Sequence, residues 1–134
     1  MRAPSGTGLR TQRALLALGA LYDISFALLM LVAPDATAAL LNVPLATPRP
    51  YLWLIAVLLG MLGAVYALAA YDPRRFEQVP LIAGVGRLLG ALVFAVWARQ
   101  EPTLPGLWLL AAADGLFGVG HLAALRLTRV LVAR

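Results

Sequence analysis

The sequence predicts an all-α polytopic membrane protein, a single domain of four transmembrane helices in an up-down antiparallel bundle with both termini in the cytoplasm. Of its 134 residues, 62% are hydrophobic and only 13% are charged, whereas soluble domains keep roughly a quarter of their residues charged. A water-facing domain of this length has too small a core to bury that much apolar surface. We therefore expect lipid to cover part of the chain.

Four apolar segments each have the length of a membrane span, since about 20 helical residues cross a hydrocarbon core of about 30 Å. None of them alternates polar with apolar residues, which excludes the strands of a membrane barrel. The predicted helices cover residues 14–33, 51–70, 81–98 and 106–125.

In each of the three connections, a proline stands beside an acidic residue. Proline disfavours helix in the residue before it, so the preceding helix is predicted to end there. In the first connection, residues 35–41 are predicted as a short interfacial turn with Asp35 as its N-cap. The last two connections are short, so consecutive helices are expected to pack antiparallel. The three pairs that mark these ends are Pro34-Asp35, Asp72-Pro73 and Glu101-Pro102.

The arginines orient the predicted bundle, because cytoplasmic loops carry an excess of positive charge. Only Arg49 and Arg99 lie on the predicted outer side, where Trp53, Trp97 and Trp108 also fall and where indole rings anchor at the interface. We predict that the bacterial cytoplasmic membrane holds the chain. The arginines on the predicted cytoplasmic side are Arg2, Arg10, Arg13, Arg74, Arg75, Arg126, Arg129 and Arg134.

The first apolar segment also has features of a signal peptide, with arginines before it and Ala36-Thr37-Ala38 as a cleavage site after it. The segment is longer than a usual signal-peptide core and carries Asp23 at its centre. We therefore predict a first helix that is retained.

Four polar residues inside the predicted spans form the candidate site: Asp23, Arg87, Asp114 and His121. A charged side chain at the centre of a span costs about 2.5–3.5 kcal/mol on insertion scales, so it normally faces the bundle and finds a partner. Counting residues from the helix ends puts Arg87 within reach of both carboxylates, and Asp114 and His121 share a helix face. We predict one buried network in which an aspartate is protonated or His121 carries a proton.

This network has two interpretations, which the sequence leaves open. It is structural if it fixes the register of the helices, and functional if it is a proton relay or a polar ligand site. An aspartate and a histidine at different depths suit a relay, but no chain of hydroxyl groups connects them to either surface.

The connection after the second predicted span contains Asp72, Arg74 and Arg75. These residues are interpreted as a helix stop followed by arginines that set the topology. The alternative is a cytoplasmic contact with an acidic partner or with anionic lipid headgroups.

Glycines in the third and fourth spans do not follow a strand or open a helix, so they do not predict a phosphate-binding loop. The spacing of Gly86 and Gly90 instead favours close helix packing, and Gly60, Gly63, Ala64 and Ala67 form similar small-residue stripes on the second span.

Several function classes are not expected from the sequence. The chain has no cysteine and one histidine, and it contains no metal-binding or haem motif and no Ser/His/Asp set. A net charge of +5 is spread over helix ends and forms no patch for nucleic acid. The loops are too short for an aqueous active site, so we favour a protein that is not an enzyme.

The layout of four short helices, with Gly86-Arg87-Leu88-Leu89-Gly90 on the third and Asp114 on the fourth, resembles the DoxX-like group of small bacterial membrane proteins. The resemblance implies either a link to quinone-dependent sulfur oxidation or a role as partner of redox proteins. The absence of cysteine puts direct sulfur chemistry in doubt, and no catalytic residue is carried over.

Two function classes follow. The first, which we favour, is a non-catalytic accessory or assembly subunit of a larger membrane complex, such as a bioenergetic one, that associates with another membrane protein or with itself. The second is a quinone-linked redox or small-solute transport protein that uses the Asp/Arg/His network. A quinone or a lipid is the ligand class that the sequence leaves open.

Overall fold

A computed structural model describes residues 6–130, with side chains from residue 8 to residue 128. Four of its five helices are long and apolar enough to cross a membrane, and the described part of the chain contains no strand. The all-α prediction and the four apolar spans are therefore confirmed. The helices are α1 (Gly6–Val32), α2 (Pro34–Leu41), α3 (Arg49–Tyr71), α4 (Val79–Gln100) and α5 (Gly106–Val130).

The long helices extend beyond the predicted apolar segments. α1 begins at Gly6 and contains Arg10 and Arg13, while α5 continues through Arg126. Arginine is a good helix former, so the helices do not stop where the apolar segments end. Arg2 and Arg134 lie outside the described residues, as does the side chain of Arg129.

The segment predicted as a turn with Asp35 as N-cap is an eight-residue helix that begins one residue earlier. Its N-cap is Ala33, which makes no side-chain capping bond, and Pro34 occupies the first turn, where its missing N–H is not needed. Asp35 lies in that first turn and complements the positive end of the helix dipole. α2 ends at Leu41, and its C-cap is Asn42, whose φ of 50° is left-handed.

The helices pack as two antiparallel pairs, α1 with α3 and α4 with α5, and the pairs join along α1 and α5. Helices α3 and α4 contact each other at few positions, although the short connection predicts close neighbours. The long side chains of Tyr66 and Arg87, which contact each other, fill space between them.

Close packing depends on glycines other than the pair predicted from spacing. A methyl group at Gly84 would lie 2.7 Å from Leu122, and one at Gly118 would lie 2.8 Å from Leu88, so these glycines bring α4 and α5 together. A methyl group at Gly86 would have no neighbouring atom within 4 Å, so this glycine faces outward. The predicted packing role of Gly86 is therefore not seen within the chain, because its face of α4 points away from α5.

The surface of the bundle is apolar, with large side chains such as Leu116 and Ile82 mostly exposed. Trp53, Trp97 and Trp108 are also exposed and lie near one end of the long helices. The interior contains small and aromatic side chains: Leu16, Ala20, Tyr66, Ala69, Ala70 and Ala83. Such an arrangement is expected when lipid, and not water, surrounds the helices.

Candidate functional site

The guanidinium group of Arg87 lies between two carboxylates from different helices. Its Nη2 donates to Oδ1 of Asp23 at 2.5 Å, and its Nη1 donates to Oδ1 of Asp114 at 2.6 Å. Asp23 is fully buried, and Arg87 and Asp114 are 7% and 13% exposed. Hydrogen bonds between ionised partners are short and about twice as strong as neutral ones. We call Asp23, Arg87 and Asp114 the ion cluster.

The ion cluster connects the two helix pairs, since Asp23 lies on α1 while Arg87 and Asp114 lie on α4 and α5. The rigid fork of the arginine fixes the position of both carboxylates at once. The cluster therefore sets the depth at which the pairs meet.

Three aromatic rings surround the guanidinium group. The ring centroids of Tyr22, Phe117 and Tyr66 lie 5.2, 5.3 and 5.7 Å from Cζ of Arg87, within the range of cation–π attraction. These three rings were not predicted from the sequence as part of the site. Phe117 follows Asp114 by three residues and so shares its helix face, which would have allowed its contact to be predicted. Nothing in the sequence distinguishes Tyr66 from the other residues of its apolar segment.

Gly90 makes room for one carboxylate of the cluster. A methyl group at this position would lie 2.6 Å from Oδ2 of Asp114, closer than side chains tolerate. A methyl group at Gly86, one turn earlier on the helix, would meet no neighbouring atom within 4 Å. Of the two glycines, only Gly90 therefore contributes to the ion cluster, by leaving space for the carboxylate of Asp114.

His121 is buried but does not join the ion cluster. Its ring contacts Tyr66, with 5.9 Å between centroids, and Phe117, at 6.3 Å. Neither ring nitrogen has a hydrogen-bond partner. The predicted four-residue network is thus a three-residue cluster with His121 beside its aromatic rings, because helix spacing alone does not determine how far a side chain reaches.

In the connection between α3 and α4, Asp72 organises the turn. Its Oδ1 accepts a hydrogen bond from the backbone N–H of Arg75 at 3.2 Å, and the guanidinium of Arg75 lies 5.6 Å from the ring centroid of Phe76. Arg74 is exposed. This geometry agrees with the helix-stop interpretation, and a contact with a partner or with headgroups stays a prediction.

An apolar pocket of about 310 Å³ lies at the end of the bundle where the tryptophans are. We call it the outer pocket, because the arginine distribution predicts that this end of the bundle faces outward. This pocket was not predicted from the sequence, because the pocket forms only where α2 and the following loop fold against α1, α3, α4 and α5. Its lining residues are Phe26, Met30, Pro34, Thr37, Ala38, Leu41, Val43, Pro44, Leu45, Ala46, Leu52, Ile55, Phe94, Trp97, Leu107 and Leu110.

The outer pocket is close to the ion cluster along two helices, α1 and α5. Phe26 is three residues after Asp23, and Leu110 is four residues before Asp114, so each is about one helical turn from its charged neighbour. The pocket itself is lined by carbon atoms almost throughout. An apolar molecule can thus fill it without disturbing the ionic bonds.

Among the described residues, no group of three or more His, Cys, Asp or Glu side chains is arranged to hold a metal ion. No protein-family model, curated protein or solved structure matches the chain. The resemblance to the DoxX-like group stays a prediction from the sequence.

Proposed function

We propose that the chain is a four-span protein of the bacterial cytoplasmic membrane, with both termini in the cytoplasm, that binds a lipid-soluble molecule of the quinone class in the outer pocket. The observation that carries this proposal is the pocket. Its volume of about 310 Å³ lies at the lower end of the range of about 300–1,000 Å³ for ligand sites, which are mostly apolar with few polar groups.

Three aromatic side chains in the lining suit a flat ring: Phe26, Phe94 and Trp97. Aromatic rings stack in offset or edge-to-face arrangements, and a quinone offers a flat face to them. The hydroxyl of Thr37 already donates to the carbonyl of Ala33 at 2.8 Å, so the indole N–H of Trp97 is the pocket donor suited to a quinone oxygen.

The helices that flank the pocket favour entry from the bilayer. Leu52 and Ile55 on α3 face Phe94 and Trp97 on α4 across it, and α3 and α4 have few direct contacts. A molecule dissolved in the membrane therefore has a lateral route between these helices. Binding is all that is proposed, with no redox step assigned to the chain.

Tryptophan fluorescence tests the proposal, because quinones quench a nearby indole. In a variant carrying Trp53→Phe and Trp108→Phe, only Trp97 remains, and a short-chain ubiquinone or menaquinone analogue in nanodiscs should quench it saturably. A protein that keeps only Trp108 lacks both the pocket reporter and the Trp97 donor, since Trp108 does not line the pocket, and it should show unsaturable collisional quenching.

A pocket-filling substitution provides the second arm. Ala38→Phe places a ring in the pocket and should abolish saturation. Its control is Ala39→Phe on the exposed neighbour, which is outside the lining and should leave binding unchanged. Equal quenching of Trp97 and Trp108, or saturation that survives Ala38→Phe, would contradict the proposal.

Orientation is tested separately, and the absence of cysteine makes labelling direct. Glu77→Cys and Thr103→Cys change exposed residues at opposite ends of α4. In intact cells, a membrane-impermeant maleimide should label the cysteine at position 103 and not the one at position 77. The reverse pattern would place the termini outside.

A second candidate function is that of a non-catalytic accessory or assembly subunit of a larger membrane complex. The observation in its favour is Gly86, which lies exposed on α4 with no atom within 4 Å. A small residue on a lipid-facing helix allows a second helix to approach closely. That helix belongs either to another copy of the chain or to another membrane protein.

Native mass spectrometry after mild extraction tests this second function. Gly86→Leu should release a bound protein that Val85→Leu, at the exposed neighbouring position, retains. A wild-type protein that is monomeric and carries only a quinone or lipid would rule out the subunit.

A further inference from the structure

We propose that the ion cluster is a proton-binding site and that its proton resides on Oδ2 of Asp23. This inference goes beyond the proposed function, since it concerns the charged layer and not the outer pocket. It depends on the charge balance of the cluster, on the burial of its members and on the bonding of individual oxygen atoms.

The charge balance of the cluster requires one further positive charge. Two ionised carboxylates around a single guanidinium group leave one negative charge among side chains that are at most 13% exposed. An uncompensated buried charge costs far more than a buried neutral polar group, so such a group takes up a proton instead. One proton bound per cluster makes the three side chains neutral together.

Bonding and burial assign this proton to Asp23. Oδ1 of Asp23 accepts the hydrogen bond from Arg87, whereas Oδ2 is buried without any partner. A protonated acid can keep the first bond through its carbonyl oxygen and carry hydrogen on the other oxygen. Among the described side chains, no oxygen of Asp114 is buried without a partner. The unpaired buried oxygen of Asp23 therefore makes its charged form the more costly one.

His121 is the less suitable carrier. Both ring nitrogens are buried without a partner, so protonation would make His121 a buried cation with two unpaired N–H donors. Protonated Asp23 is neutral and has a single unpaired O–H. Protonation of His121 would also add a second cation beside the rings that already surround Arg87. The titratable or charged groups in and around the ion cluster come from all four long helices: Tyr22 and Asp23 on α1, Tyr66 on α3, Arg87 on α4, and Asp114 and His121 on α5.

Solid-state NMR of the full chain in lipid bilayers can observe each aspartate separately, because the sequence provides unique residue pairs. Asp23 is the only aspartate followed by isoleucine, and Asp114 is the only one followed by glycine. Protein labelled with ¹³C-Asp and ¹⁵N-Ile therefore selects the Asp23 side chain, and ¹⁵N-Gly selects that of Asp114. The single histidine gives its own ¹⁵N signals.

Near neutral pH, we expect the carboxyl carbon of Asp23 to have the shift of a protonated acid and that of Asp114 the shift of a carboxylate. His121 should show the two unlike nitrogen signals of a neutral ring. Two ionised aspartates, a protonated Asp114 or a positively charged His121 would each overturn the proposal.

Two variants provide an independent arm. Asp23→Asn replaces a neutral acid with a neutral amide and should leave the Asp114 signal at its wild-type position. Asp114→Asn leaves one carboxylate for the guanidinium, so the Asp23 signal should move to the ionised position. If the Asp23 signal stays unchanged in Asp114→Asn, the charge balance is not what binds the proton.

Discussion

Replacing Arg87 with leucine tests whether the ion cluster holds the helix pairs together. The substitution removes the bonds of 2.5 Å to Asp23 and 2.6 Å to Asp114 and leaves both carboxyl groups without a cation. It keeps an apolar side chain that α4 accommodates easily. The change therefore isolates the loss of the guanidinium group.

The expected cost follows from the burial of the cluster. Removing one partner of a buried ion pair destabilises a protein by about 3–5 kcal/mol. The abandoned carboxylates can take up protons, which limits the penalty, so we expect a loss near the lower end, about 3 kcal/mol. Since about 1.4 kcal/mol corresponds to a factor of ten, this is roughly a hundredfold change in the folding equilibrium.

The measurement is reversible unfolding in lipid bicelles, followed by the fluorescence of the three tryptophans. Arg99→Leu is the matched control, because Arg99 is exposed near the end of the same helix and should change the free energy of unfolding by no more than about 0.5 kcal/mol. If Arg87→Leu and Arg99→Leu unfold with the same free energy, the cluster does not join the helix pairs and the reasoning fails.

Two further substitutions probe the surroundings of the cluster by the same unfolding assay. Gly90→Ala places a methyl group 2.6 Å from Oδ2 of Asp114 and should lower the free energy of unfolding by about 1–3 kcal/mol through overpacking. Gly86→Ala, with open space around the new methyl group, should not destabilise the protein. Equal free energies of unfolding for the two variants would contradict the contact with Asp114. Tyr66→Leu removes a ring 5.7 Å from the guanidinium of Arg87 and should lower the free energy of unfolding by about 1–2 kcal/mol, as expected for a desolvated cation–π contact. An unchanged free energy of unfolding would show that the ring contributes only packing, which leucine replaces.

The sequence was sufficient to predict features that depend on segment length and on depth. Apolar length predicts the four spans, and counting along them places Asp23, Arg87 and Asp114 at similar depth, where the structure brings them into contact. Depth does not determine rotation about a helix axis. Sharing a helix face is not sufficient either: His121 lies about two turns from Asp114 along α5 and contacts aromatic rings, not the carboxylates.

Features that depend on several segments at once could not be read from the sequence. Tyr66 looks like any apolar-segment aromatic until α3 is placed against α1 and α4. The outer pocket requires α2, the loop after it and Trp97 to meet. Gly106 is a similar case, since a methyl group there would overlap the carbonyl of Leu41, a contact between residues far apart in the chain.

The distribution of the ion cluster along the chain has a consequence for biosynthesis. Asp23 leaves the ribosome first, Arg87 follows when the third span is made, and Asp114 comes with the last one. During translation, the first hairpin must therefore enter the bilayer with a lone acidic group, at an insertion cost of about 2.5–3.5 kcal/mol if it is charged. A nascent chain truncated before residue 87 exposes this group to lipid and has no means of neutralising it except a proton. Completion of the charged layer therefore requires the third and fourth spans, and a chain interrupted before them lacks the ionic contacts that join the helix pairs.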